Sequence, residues 1–260
     1  MTGITFGGPN RPRPGSTYIE RERRGVLNEL SFQGIPFKLS ETDNVTLSRQ
    51  NGVWIIADPA GDLHVEVSKI GRVVARDRVQ KYEADRLLEG ALRATRLRDI
   101  LSVNEKANLN SPLVGSLEIK KVGRDFEITV LDPHAPELTE SSIWIGPDGS
   151  IMDTDTPGFS MVRIDRALEN GALAARIESV LAGRGQVSAR TEFGVVELTR
   201  LLPVDPESPA NMWVLRTGDK RHNYLIRRDG PVTPQSRSVP TFDVYTLLTA
   251  LKNSLTFGGS

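Results

Sequence analysis

Turn signals at short intervals cut much of this 260-residue chain into runs too brief for helices, and that spacing constrains the fold most. Asn51-Gly52 is a hairpin turn that joins a run ending near Arg49 to Val53-Trp54-Ile55-Ile56. Asp58-Pro59-Ala60-Gly61-Asp62 is a second turn, after which Leu63, Val65 and Val67 alternate onto one face. Val122-Gly123-Arg124 separates Leu117–Lys120 from Phe126–Leu131, and Gly146-Pro147-Asp148-Gly149 separates Ile143–Ile145 from Ser150–Met152. Further strands are expected near 186–201, 212–217 and 223–228. Upstream, Leu30, Phe32, Ile35, Phe37 and Leu39 alternate on either side of Gly34, so β structure is expected from Val26 onward. Strands this short with tight turns between them pair antiparallel, because a parallel return needs a long crossover.

Helical spacing appears in three places. Val79, Tyr82, Leu88, Ala91, Leu92, Thr95 and Leu101 recur at it between Asp77 and Val103, with Glu89 and Arg93 as an i,i+4 pair on the exposed side. Leu168, Leu173, Ile177, Val180 and Leu181 form a stripe over 165–182, which Gly183 should stop. A last short helix is expected over 242–253. The fold class is therefore α+β, predominantly β: antiparallel meanders with two or three helices and an extended N-terminal arm. The polar segment 104–112 reads as a loop or boundary, which divides the chain into an arm (1–25), a meander plus helix (26–110) and a mixed β/α region (111–260). No internal repeat of fixed period is visible.

The arm reading rests on Gly7, Gly8, Pro9, Pro12, Pro14 and Gly15, which favour an extended path and offer little burial. Ile4-Thr5-Phe6-Gly7-Gly8 is echoed by Leu255-Thr256-Phe257-Gly258-Gly259, so each tail carries one aromatic anchor, Phe6 and Phe257.

A formal net charge of zero conceals an uneven distribution. From 125 to 162 there is no Lys or Arg, against Asp125, Glu127, Asp132, Glu137, Glu140, Asp148, Asp153 and Asp155. The arm is rich in Arg, and residues 216–237 carry Arg216, Lys220, Arg221, Arg227, Arg228 and Arg237 against Asp219 and Asp229. Such asymmetry can steer one copy onto another. The candidate interface residues are Arg216, Lys220, Arg221, Arg227, Arg228, Asp153, Asp155, Phe6 and Phe257.

Known chemistries find few footholds. Zero Cys excludes a disulfide framework, thiolate metal sites and a cysteine nucleophile. Asp153-Thr-Asp155-Thr-Pro157-Gly158 opens like a calcium loop, but Pro157 stands at position five and Ile164 where a bidentate Glu is needed. His64 shares a strand face with Asp62 and Glu66, without a recognisable nucleophile. His134 and His222 lie in turns, and Gly183-Arg184-Gly185 follows a helix rather than opening one. No catalytic residue, cofactor or metal is expected. Arg216, Lys220, Arg221, Arg227 and Arg228, with Trp213 and Tyr224 interleaved, would serve a nucleic-acid surface, but at zero net charge nucleic acid is not the expected partner. No apolar run is long enough to span a bilayer, and the first twenty residues lack the apolar core of a signal peptide.

Short strands, a Pro/Gly arm, no Cys and opposed charged segments resemble the virion proteins of tailed bacteriophages. Leu30-Ser-Phe-Gln-Gly-Ile-Pro-Phe-Lys-Leu39 is similar to the "F-x-G-x-P-F" opening strand of some tail and baseplate proteins. That resemblance implies a non-enzymatic structural subunit of a tail, baseplate or head–tail connector. It would self-associate or bind other virion proteins, and be located in the virion after assembly in a host cytoplasm. An enzyme of unrecognised type and a regulatory or nucleic-acid-associated module are the alternatives.

Overall fold

The computed structural model describes the chain except residues 1–17, 35, 41–43, 113, 132–140, 155–159, 202–211, 229–231, 236–242 and 258–260. Three antiparallel meanders of five strands each follow one another along the chain, and each is preceded by a helix. The first unit is α1 (Tyr18–Ser31) with β1 (Phe37–Lys38), β2 (Thr46–Gln50), β3 (Val53–Ala57), β4 (His64–Val67) and β5 (Val73–Val74). The second is α2 (Arg78–Ile100) with β6 (Lys106–Ser111), β7 (Gly115–Val122), β8 (Asp125–Leu131), β9 (Ser141–Ile145) and β10 (Ile151–Thr154). The third is α3 (Met161–Leu181) with β11 (Gln186–Thr191), β12 (Gly194–Arg200), β13 (Met212–Thr217), β14 (Asn223–Arg227) and β15 (Thr233–Pro234), and α4 (Val244–Phe257) closes the series. The class is α+β, as the sequence predicts.

A repeat is nonetheless present. Helices α2, α3 and α4 begin at Arg78, Met161 and Val244, an even spacing of 83 residues. Each sheet is covered by the helix before it and the helix after it. The first core joins Leu47, Trp54, Ile56, Val65 and Val67 to Leu27 and Leu30 of α1 and to Ala84–Leu92 of α2. The second joins Leu117, Ile119, Phe126, Ile128 and Ile143 to Leu97 of α2 and to Ile164, Ala167 and Leu168 of α3. The third joins Val196, Leu198, Trp213, Leu215 and Ile226 to the later half of α3 and to Leu247, Leu248 and Leu251 of α4. Helix length follows from this division. Helices α2 and α3 each serve two sheets and run 23 and 21 residues, whereas α1 and α4 serve one each and run 14.

Several expectations need correction. Residues 18–31 form α1, so 18–25 are helical rather than extended, and β structure does not begin at Val26. Leu27 and Leu30, three residues apart, are fully buried on one side of that helix, and this outweighs the alternation through Phe32. The Leu30–Leu39 segment contains the end of α1, a turn at Gly34 (φ +98°) and the two-residue β1. Residues 106–111 form edge strand β6, so the expected boundary near 110 falls inside a strand. Val79 and Tyr82 belong to α2 but stand 76% and 73% exposed, outside its apolar stripe. Conversely Arg93, expected on the exposed side with Glu89, is buried and lies 3.5 Å from it.

Candidate interaction surfaces

The sheets face outward because the helices turn their remaining sides toward one another, and charged groups join those sides. Arg23 of α1 donates from Nε and Nη2 to Asp85 of α2 (2.7 and 2.9 Å) and from Nη1 to the Gly71 carbonyl (2.7 Å). Arg93 of α2 repeats the arrangement on Asp165 of α3 (2.8 and 2.9 Å) and the Gly149 carbonyl (2.7 Å). A bidentate guanidinium fixes both distance and orientation, so each clamp sets one helix against the next. The glycines are required there. A Cβ on Gly71 (φ +88°) would fall 1.8 Å from the Glu20 carbonyl oxygen, and one on Gly149 (φ +81°) 1.8 Å from that of Gly90.

A deeper network lies between α1, α2, α3 and α4. Glu29 accepts two bonds from Arg96 (2.9 and 2.7 Å) and one from Arg176 (2.9 Å). Arg176 also donates from Nε to Asp99 (2.6 Å), which accepts from Gln33 as well (2.7 Å). The Arg176 guanidinium lies 5.5 Å from the Phe32 ring centroid and 5.6 Å from that of Tyr245. Burial raises the Glu29 carboxyl, but Arg96 and Arg176 outweigh it and hold it below the usual range. Burial also raises Glu169, Asp99 and the Tyr245 hydroxyl, and there it prevails. The network thus ties the four helices to one another.

The sequence-predicted interface residues fall in three places. Arg216 and Arg227 share the outer face of the third sheet, at opposite ends of the β13–β14 pairing. Arg216 donates to Glu197 on β12 (2.7 Å), so its charge is largely met within the sheet. Lys220 and Arg221 stand on the exposed hairpin between β13 and β14, where Arg221 lies 3.5 Å from Asp219, and Arg228 is exposed just after β14. Asp153 is exposed on edge strand β10 of the second sheet. Phe257 is the last residue of α4. Asp155 and Phe6 lie outside the described residues, as do His134 and most of the calcium-like loop.

Of the other candidates, His64 and Glu66 lie 3.7 Å apart, about half exposed on β4, where alternation put them. Burial lowers the pKa of His222, whose backbone N–H donates to Thr217 Oγ1 (3.2 Å). Among the described residues no group of three or more His, Asp or Glu could hold a metal ion, and no helix is long and apolar enough to cross a membrane.

One pairing of exposed apolar residues escaped the sequence reading. Val74 on edge strand β5 is 62% exposed and Met152 on edge strand β10 is 59% exposed. Each stands three residues after its clamp glycine, Gly71 or Gly149. Tyr82 and Val162 (73% and 45% exposed) each stand three residues before their clamp aspartate, Asp85 or Asp165. The two units thus expose apolar residues at equivalent offsets from their clamps, one on an edge strand and one on a helix. No family model matches the chain, and no curated protein matches it.

Proposed function

We propose that this chain is a non-enzymatic structural subunit that associates head to tail with copies of itself through its two equivalent edges. The observation that carries this reading is the recurrence, at equivalent offsets from the clamps, of exposed apolar residues on edge strands β5 and β10 (Val74, Met152) and on the helices that follow them (Tyr82, Val162). An edge strand offers unpaired backbone donors and acceptors, and apolar side chains beside it favour a partner strand. Charge distinguishes the edges. Residues 69–81 carry Lys69, Arg72, Arg76, Arg78 and Lys81 against Asp77 alone, whereas 148–162 carry Asp148, Asp153 and Asp155 with no base. Opposite charge favours β5 of one copy on β10 of the next over either edge on itself. Such a heterologous contact builds rings or filaments. The virion setting, in a tail, baseplate or connector, rests on the Leu30–Leu39 resemblance and the charge distribution.

Capping variants test it. Val74→Asp with Tyr82→Asp disables one edge, and Met152→Lys with Val162→Lys disables the other. In light scattering at two concentrations the parent should grow in mass, each variant should stay monomeric, and their mixture should stop at a one-to-one dimer. A parent that stays monomeric at high concentration, or variants that assemble like the parent, would overturn the reading.

A further inference from the structure

Between the end of α2 and the β7–β8 hairpin lies a cavity of about 430 Å³. Its walls supply three cations and no acid: Arg98 from the last turn of α2, with Lys121 and Arg124 from the hairpin. Its apolar lining is Leu101, Phe126 and Pro147. Local structure explains the convergence. Lys121 pairs with Phe126 across the two strands, so both side chains share the sheet face turned toward α2. Gly123 (φ +65°) takes the first central position of the two-residue turn, which leaves Arg124 at its tip. Arg98 donates from Nη2 to the Pro147 carbonyl (2.7 Å), which holds its guanidinium at the wall between α2 and the β9–β10 turn. Lys121 and Arg124 are exposed and form no ion pair among the described residues, unlike Arg93, Arg96 and Arg176 on the helix faces.

We infer that this cleft binds a small organic phosphate of mononucleotide size. Its volume is within the range of small-molecule sites, roughly 300–1,000 Å³. Two guanidinium forks and an ammonium match a phosphate's several acceptor oxygens, and the apolar lining accepts an organic body that inorganic phosphate lacks. The site borders the β9–β10 turn, close to Met152, but its argument does not depend on the assembly reading.

Calorimetric titration of the full chain with adenosine monophosphate, adenosine and inorganic phosphate tests it. Saturable binding of the nucleotide is expected with Kd below ~1 mM, and adenosine and phosphate should each bind at least about tenfold more weakly. Lys121→Glu with Arg124→Glu should weaken the nucleotide by at least about tenfold, while Arg227→Glu with Arg228→Glu, an equal charge change elsewhere, should leave it within about twofold. Absence of saturable binding, phosphate as tight as the nucleotide, or equal losses in the two reversals would overturn the inference. Circular dichroism of each variant confirms that a loss is not unfolding.

Discussion

Replacing Glu29 by Gln removes one charge and almost no volume, which makes it a clean probe of the network between the helices. The carboxylate meets Arg96 and Arg176, and all three side chains are at most 3% exposed. After substitution neither guanidinium is wholly abandoned. Arg96 keeps the Asp165 carbonyl (3.1 Å) and lies 3.7 Å from Glu169, and Arg176 keeps Asp99. Breaking one partner of a buried ion pair costs roughly 3–5 kcal/mol, and these residual contacts argue for the lower end. For a chain of this size that corresponds to a drop in Tm of roughly 6–20 °C. Urea denaturation of the parent, Glu29→Gln and the control Glu83→Gln gives the comparison. Glu83 meets Arg86 on the surface of α2, where a pair contributes about 0–1 kcal/mol. Acid supplies a second readout. The folded pKa of Glu29 is depressed, so its contribution is present above the ordinary glutamate range and is lost as pH falls through the folded value. The gap between parent and Glu29→Gln should therefore close in acid. A cost below ~1 kcal/mol, or a gap that does not narrow, would refute the assignment of Glu29 as the counter-charge of both arginines.

Two further substitutions read other parts of the fold. Gly149→Ala should cost at least ~2 kcal/mol in urea denaturation, because it combines positive φ with a clash on the Gly90 carbonyl. Gly61→Ala, at φ +80° with open space around it, should cost only about 1–2 kcal/mol. His222 has a folded pKa below its ordinary value, chiefly through burial, so its contribution is lost as pH falls from the ordinary histidine range through the folded value. His222→Gln should flatten that part of the stability–pH profile, and an unchanged slope would assign it to other groups.

The hairpins were legible because turn chemistry is local. Asn51 and Gly52 adopt φ +50° and +79°, as a two-residue hairpin turn demands, and Gln50 pairs with Val53 across it. Helix α1 was not, because its apolar side rests on few residues, Leu27 and Leu30 among them, and Leu30 also fits the alternation that runs on through Phe32. Strand β6 was hidden in Lys-Ala-Asn-Leu-Asn-Ser, since an edge strand buries few side chains and carries polar ones. The candidate surfaces were half visible. Charge segregation along the sequence singled out Arg216, Arg227 and Asp153, but it could not show the sheet faces and edges they occupy or that Arg216 is met by Glu197. The cleft cations, Arg98, Lys121 and Arg124, are 23 or more residues apart between helix and hairpin and share no sequence pattern. The repeat was missed because it is carried by backbone landmarks and by a few Arg, Gly and Asp positions, not by recurring side-chain runs.

Among the described residues, those few positions also bear on why the third unit does not repeat the exposed apolar residues of the first two. Arg176 follows Arg93 by 83 residues and occupies the place of a third clamp arginine. The residue 83 beyond Asp165 is Leu248, which is fully buried in the third core, so α4 offers no carboxylate there. Arg176 instead reaches Glu29 and Asp99 and ties the third helix to α1 and α2. Helix α4 is held to α1 by other bonds, from Asn28 to Asp243 (2.7 Å) and from Lys252 to the Phe32 carbonyl (2.8 Å). Tyr245, 83 residues after the exposed Val162, packs against the third core with its ring beside Arg176 and its hydroxyl buried. Losing the clamp thus turns inward the side chain that its counterpart presents outward. The third unit closes the helices on themselves, and the first two leave Val74, Tyr82, Met152 and Val162 exposed.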